Sequence, residues 1–272
     1  MRPTARPIGA ALVVLLFLAP LSFLVTGALR EPGLLPTDSF TLLPNPLTTE
    51  SLQRAFELVP LGRQLFNSVI VAAIAVPISV VVASWAGFAM VLLPRRVRGY
   101  AVGASLVLLM VPLAALWLPR FVLFRWLGVV DTWIPLIAPA LLGMSPFYVL
   151  LFYWSYRRVP RDLLDAGRLE GLRAFGLWRR VASPLVRPTT FAVAALAFVT
   201  TWGNFIDPVL FINDPDLATL PLGLRSLSAL GPTGFPVLLA GALVATVPAV
   251  VAFAMVQRRF LQNTREAGWL GR

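Results

Sequence analysis

The sequence contains no cysteine, no histidine and no lysine. Without Cys there is no disulfide and no thiolate nucleophile, and without His there is no imidazole base and no ordinary zinc ligand. The missing Lys excludes a G-x-x-x-x-G-K-[ST] phosphate loop, whose lysine reaches the β and γ phosphates. If ATP drives this protein, another chain binds it. Charge of any kind is scarce: 13% of the 272 residues are charged, against about 25% in a soluble domain. Apolar surface is abundant, with 58% hydrophobic residues and a mean hydropathy of +0.82. A chain of this composition faces lipid.

All 23 basic residues are Arg and the net charge is +11. Such a charge alone would fit a nucleic-acid binder, but the Arg residues sit in short clusters between long apolar runs. That is the positive-inside pattern of membrane proteins, and nucleic acid is excluded as a partner. About 20 apolar residues are needed for a spanning helix, and six stretches qualify: 8–29, 67–93, 100–118, 132–156, 189–212 and 236–256. Arg2 and Arg6 precede the first, whose apolar run is too long for a signal peptide and reads as a retained signal anchor. Six spans put 17 Arg on one side and 6 on the other, so both termini are expected in the cytoplasm.

The expected fold is all-α, a polytopic bundle of six transmembrane helices forming a single permease domain over residues 1–272. Between the first two spans a segment with Pro32, Pro36, Pro44 and Pro46 is too polar to enter lipid, with a short helix expected near 49–57. Residues 119–131, with Phe121, Phe124 and Trp126 beside Arg120 and Arg125, are expected at the membrane interface. Ala83 and Gly87, like Ala240, Gly241 and Ala245, are small residues that read as close helix packing.

The cytoplasmic stretch 157–188 is organised rather than connective. Pro160 or Arg161 can open a helix with Asp162 and Asp165 at its positive end, and Gly171 is placed to end it. A second helix is expected from Leu172 to Ala182, stopping before Pro184. Leu163, Leu164, Leu169, Leu172, Phe175, Trp178 and Val181 recur at helical spacing and predict one apolar stripe. The segment reads as a surface helix-turn-helix that docks something.

Asp165-Ala166-Gly167, then Gly171, Val181 and Pro184, stand at the spacing of the E-A-A-x3-G-x9-I-x-L-P loop, and here the chain resembles the permeases of binding-protein-dependent ABC importers. The resemblance extends over most of the chain and is closest to the carbohydrate branch, in particular the six-span subunit of the maltose-type pair. Its landmarks are Asn67-Ser68, Thr201-Trp202-Gly203-Asn204-Phe205 with Pro208, Thr219-Leu220-Pro221-Leu222-Gly223-Leu224 and Gln257-Arg258-Arg259-Phe260. The chain departs from the family at Asp165 for Glu, Gly167 for Ala and Glu170 for Asp. It departs again in Trp202 to Pro208, where the family has W-N-D-F-x-W-P, and in the tail Gly268 to Arg272.

The resemblance implies an ATPase-coupling element made of Asp165, Ala166, Gly167, Arg168, Glu170, Gly171, Leu172, Val181 and Pro184. It also implies two copies of an ABC ATPase, a second homologous permease and an extracytoplasmic solute-binding protein. Arg157, Arg158, Arg179 and Arg180 are expected on anionic lipid headgroups, and Arg168 and Arg173 toward the ATPase. In the fifth span Asn204 is expected on the solute pathway, while Asp207 is either hydrated or bonded to backbone near Pro208. Trp202 and Phe205, with Phe198, are candidates for stacking on a sugar, against a plain packing role. No catalytic residue, metal ligand or cofactor is expected. The alternatives are an ABC permease for a non-sugar solute and a secondary transporter, which would carry paired intramembrane acids or inverted repeats.

Overall fold

The structure, a computed structural model, describes the backbone of residues 5–35 and 46–267 and the side chains of 14–35, 46–255 and 257. Arg2, Pro36, Pro44, the side chains of Arg6, Arg258, Arg259 and Phe260, and the tail from Gly268 lie outside the described residues. The described residues are helical with no strands. In chain order the helices are α1 (Ala5–Ala28), α2 (Glu50–Leu58), α3 (Leu61–Leu92), α4 (Arg95–Met110), α5 (Trp117–Trp126), α6 (Ile134–Ile137) and α7 (Pro146–Tyr156). They continue as α8 (Arg161–Leu169), α9 (Ala174–Leu185), α10 (Arg187–Trp202), α11 (Ile206–Phe211), α12 (Leu220–Ser228) and α13 (Phe235–Ala267). Among the described residues, Leu61–Leu92, Ile134–Tyr156 and Pro232–Met255 are long and apolar enough to cross a membrane. Arg95–Met110 with Leu113–Trp126, and Ala174–Leu185 with Arg187–Trp202, qualify only as pairs, bent by 88° and 87°, and Val14–Ala28 is a shorter apolar helix.

Three of the expected spans are interrupted. The third, 100–118, ends at Met110, because Val111 precedes Pro112 and is pushed to extended backbone, φ −70° and ψ 119°. Residues 119–131 are helical as far as Trp126 and turn from Leu127 on. They begin inside α5, which carries Arg120. The fourth breaks at Gly143 and Met144, both left-handed at φ 75° and 60°, and restarts where Ser145 Oγ accepts the Phe147 N–H and Pro146 occupies the first turn. The fifth, 189–212, stops at Trp202. There Asn204 Oδ1 accepts the Asp207 N–H at 3.2 Å, competing with the helical ladder.

The chain forms two compact units, one drawn from residues 1–67 and 218–248 and the other from 68–217 and 249–272. In the first, Ser51 Oγ donates to Arg30 O at 2.6 Å and Gly33 N to Thr233 O at 3.1 Å. Asn67 Nδ2 donates to Ala218 O at 2.9 Å, and Gly223 lies so close to the Gln64 amide that no side chain fits between them. Within this unit α3 thus meets the landmark Thr219 to Leu224 at Gly223, and Asn67 meets the residue just before it. The core of the second unit joins α3 (Ala83, Phe88), α7 (Tyr148, Phe152, Tyr156) and α10 (Val193, Ala197) to Leu164, Leu177 and Ala182 of the cytoplasmic segment.

Candidate functional site

The segment between α7 and α10 folds as two short helices around one glycine. Pro160 precedes α8, and Asp162 lies in its first turn. Gly171 takes φ 81°, a conformation in which glycine lacks the penalty of a Cβ. Leu172 N donates to Gly167 O at 3.0 Å and Gly171 N to Arg168 O at 2.9 Å, the double bond of a Schellman turn. The second helix differs from the expectation. It starts at Ala174 and runs through Pro184 to Leu185, because residues Leu177–Ala182 are wound as a π-turn. Pro184 has no N–H to give Arg180 O, and the π-turn has already abandoned that ladder upstream.

The expected apolar stripe does not form one buried face. Leu164 is buried, and Leu177, which the periodicity passed over, is buried with it. Leu163, Phe175 at 56% and Leu169 at 91% exposure face outward instead. Gly167 is buried beneath Leu177, whose Cδ2 would lie 2.7 Å from a Cβ there. An alanine there would require that Leu177 methyl to shift. Of the other expected coupling residues, Asp165, Ala166, Arg168, Glu170, Gly171 and Pro184 are exposed, and Leu172 and Val181 are half-buried. Arg168 and Asp165 pair at 2.7 Å while largely in water, an ion pair that adds little stability. Arg157, Arg158, Arg179 and Arg180 are exposed. Arg157 also stacks its guanidinium 5.7 Å above the Tyr153 ring.

The second cluster lies at the break after α10. Arg120, on α5, grips Asp207 with both arms, Nη1 to Oδ1 at 2.9 Å and Nη2 to Oδ2 at 3.1 Å. Its Nη2 also donates to Pro135 O at 3.3 Å. The guanidinium sits 5.4 Å from the Phe211 ring and 5.9 Å from that of Phe124. Asn204 Nδ2 completes the carboxylate's shell at 3.0 Å from Oδ2. Asp207 is therefore held at its carboxylate by two side chains, Arg120 and Asn204. Its side chain is 10% exposed and ion-paired, as an ionisable group in an apolar span requires. Both polar ends of Asn204 are engaged by Asp207. Trp202 stacks on Phe198 with ring centroids 5.4 Å apart, and Phe205 is partly exposed.

Outside the spans, Asp131 holds the loop after α11. It has φ 64°, its N–H donates to Phe211 O at 2.7 Å, and its Oδ1 accepts the N–H groups of Asp214 at 2.8 Å and Asn213 at 2.9 Å. These two donors, Asp214 first, hold its carboxyl below the ordinary value of 3.8. Because the folded value is the lower one, the clamp contributes fully above pH 3.8 and is lost as pH falls through the depressed value. Hydrogen exchange at the 213 and 214 amides should lose protection over that acidic range. In Asp131→Asn protection should not vary with pH over the same range.

Apolar spans interrupted by prolines, glycine and one buried ion pair, together with a packed two-helix element, are compatible with a membrane permease. Residues 55–263 match the family described as binding-protein-dependent transport system inner membrane component. The chain is 30% identical to the arabinooligosaccharides transport system permease protein AraQ of Halalkalibacterium halodurans over 97% of this chain and 95% of that one. It is 27% identical to the sulfoquinovosyl glycerol transport system permease protein SmoH of Agrobacterium fabrum over 98% and 93%. A crystal structure of a bacterial ABC transporter involved in import of the acidic polysaccharide alginate matches its fold with TM-score 0.72 at 17% identity, covering 96% of this chain and 99% of that one. The chain belongs to the binding-protein-dependent transport system inner membrane component family and is a multi-pass membrane protein.

Proposed function

We propose that the chain is one membrane-spanning subunit of an ATP-driven importer for a sugar or oligosaccharide, working by alternating access. The observation that carries the reading is the two-helix element, which is built into the α3–α7–α10 core on one side and presents Leu163, Leu169 and Phe175 on the other. Large apolar side chains held outward on a rigid turn call for a protein partner. In this reading two copies of an ABC ATPase dock on this element and on its counterpart in a second, homologous permease. ATP is hydrolysed on those chains and none of the chemistry falls on this one. Six spans, both termini in the cytoplasm, complete a single permease domain.

The carbohydrate assignment is supported by relatives named for arabinooligosaccharides and sulfoquinovosyl glycerol. An extracytoplasmic binding protein is supported by the structure of an alginate ABC transporter in complex with an alginate pentasaccharide-bound periplasmic protein, whose fold matches with TM-score 0.63 at 12% identity over 94% of each chain. On the pathway, Trp202 and Phe205 offer ring faces to solute, while Asn204 and Asp207 hold the break in shape. Reconstitution with an ATPase, a partner permease and a binding protein should give ATP-dependent uptake of oligosaccharide into proteoliposomes. Leu169→Asp should release the ATPase on purification and leave the bundle folded. No uptake by the intact complex with any of a panel of oligosaccharides would sink the sugar reading.

A further inference from the structure

Four side chains outside the expected coupling residues form one hydrogen-bonded chain, and one of them, Ser183, stands where the loop motif has Leu. Trp178 Nε1 donates to Ser84 Oγ at 3.0 Å, Ser84 Oγ and Tyr156 OH are 2.6 Å apart, and Tyr156 OH and Ser183 Oγ are 3.3 Å apart. Both ends of the chain, Trp178 and Ser183, are on α9, and its two middle members are on α3 and α7. Ser84 is buried and Tyr156 is fully so. The rings around it tie the same three helices together: Trp85 meets Trp178 edge-on at 5.2 Å and Phe175 at 5.7 Å, and Phe88 meets Tyr156 edge-on at 5.3 Å.

The winding of α9 is what closes this chain. Trp178 and Ser183 are five residues apart. In an α-helix, at about 100° per residue, they would point about 140° away from each other. In the π-turn the Ser183 N–H bonds Trp178 O, and the wider turn brings the two side chains toward one face. A π-turn is a rare winding whose conversion to α rotates every residue beyond it. Tyr156 OH, tight on Ser84 and loose on Ser183, holds the two contacts unequally. Movement of α9 must therefore strain or exchange these bonds, and it is felt directly by α3 and α7.

We propose that the π-turn Leu177–Ala182 is the movable joint through which the coupling element drives the bundle, with Ser84 and Tyr156 as the positioning residues that transmit its movement. This rests on the importer reading above. Loss of Ser84 leaves α9 tied through Tyr156 and Ser183 alone, and loss of Tyr156 leaves it tied through Trp178 and Ser84 alone, so either loss loosens α9 and loss of both removes every one of these bonds. ATP hydrolysis on the partner chain then continues while solute movement falls behind.

The test compares the full complex of this chain, partner permease, ATPase and binding protein carrying Tyr156→Phe, Ser84→Ala or both with the unsubstituted complex, in proteoliposomes. Tyr156→Phe keeps the ring and its packing, so the complex should assemble in normal yield. Each single variant should lower uptake per ATP hydrolysed by about fivefold, the scale of one buried hydrogen bond. The double variant should be poorer than either single, because each single leaves one bond from α9 to the bundle and the double leaves none. Unchanged uptake per ATP in both singles overturns the proposal, as does uptake that falls only in step with the amount of assembled complex. An unsubstituted complex without ATP-dependent uptake would instead sink the importer reading, which keeps the two failures apart.

Discussion

Gly87→Val should yield little or no folded protein. A Cβ at Gly87, on α3, would lie 2.7 Å from Phe152 Cβ, 2.8 Å from Tyr153 N and 2.8 Å from Val149 O. Two of these three atoms are backbone of α7, so no change of rotamer relieves the contact and α7 itself must move. Overpacking a close-packed interior typically costs about 1–3 kcal/mol even where side chains can yield, and this site stands at or beyond the upper end. The contact also sets the spacing between Ser84, one turn earlier on α3, and Tyr156, one turn after Phe152 on α7. Separation of the helices here would pull that pair apart as well. Recovery of monodisperse protein in detergent and its thermal midpoint are the measurements. Gly103→Val on α4 is the control, since nothing lies within 4 Å of a Cβ there. Normal yield and midpoint for Gly87→Val would mean that α3 and α7 do not meet as described.

The turn at Gly171 was readable because its cause is local. A glycine after an amphipathic stretch supplies the left-handed residue that a Schellman turn needs, and Pro160 and Asp162 mark the other end of α8. The placing of apolar stretches was readable for a similar reason, since lipid requires long runs of them. The breaks were not. Hydropathy averaged over a span-length window runs smoothly across Met110 to Leu113 and across Trp202 to Ile206, while the backbone there obeys a single proline or one Asn side chain. The π-turn defeated the periodicity argument outright. The stripe was counted on Phe175, Trp178 and Val181 at α-helical spacing, which the π-turn from Leu177 on does not keep. Arg120 was missed for a different reason. From the sequence it is one charge in a mixed aromatic segment, and its partner Asp207 is 87 positions away. Only the intramembrane acid gave a signal, by requiring that some partner exist.

That pair gives the second large effect. Asp207→Leu should destabilise the protein by about 3 kcal/mol, because removing one member of a buried ion pair leaves the other charge uncompensated. Arg120 is 25% exposed on its side chain, so water and the Phe124 and Phe211 rings recover only part of the loss. Arg120→Leu should cost at least as much, since Asp207 is the more deeply buried partner at 10% and Asn204 alone is left to solvate it. The double variant Arg120→Leu with Asp207→Leu removes both charges together and should regain most of the stability lost by either single, because well-packed apolar residues replace such pairs at little or no cost. Thermal unfolding of the purified protein, followed by tryptophan fluorescence and combined as a double-mutant cycle, measures the coupling between the two sites. Additive single effects, each within about 0.5 kcal/mol of the unsubstituted protein, would mean that Arg120 and Asp207 do not hold the broken fifth span to α5. A strongly non-additive cycle would place that junction among the rigid parts of the bundle, against which the cytoplasmic joint at Leu177–Ala182 can work.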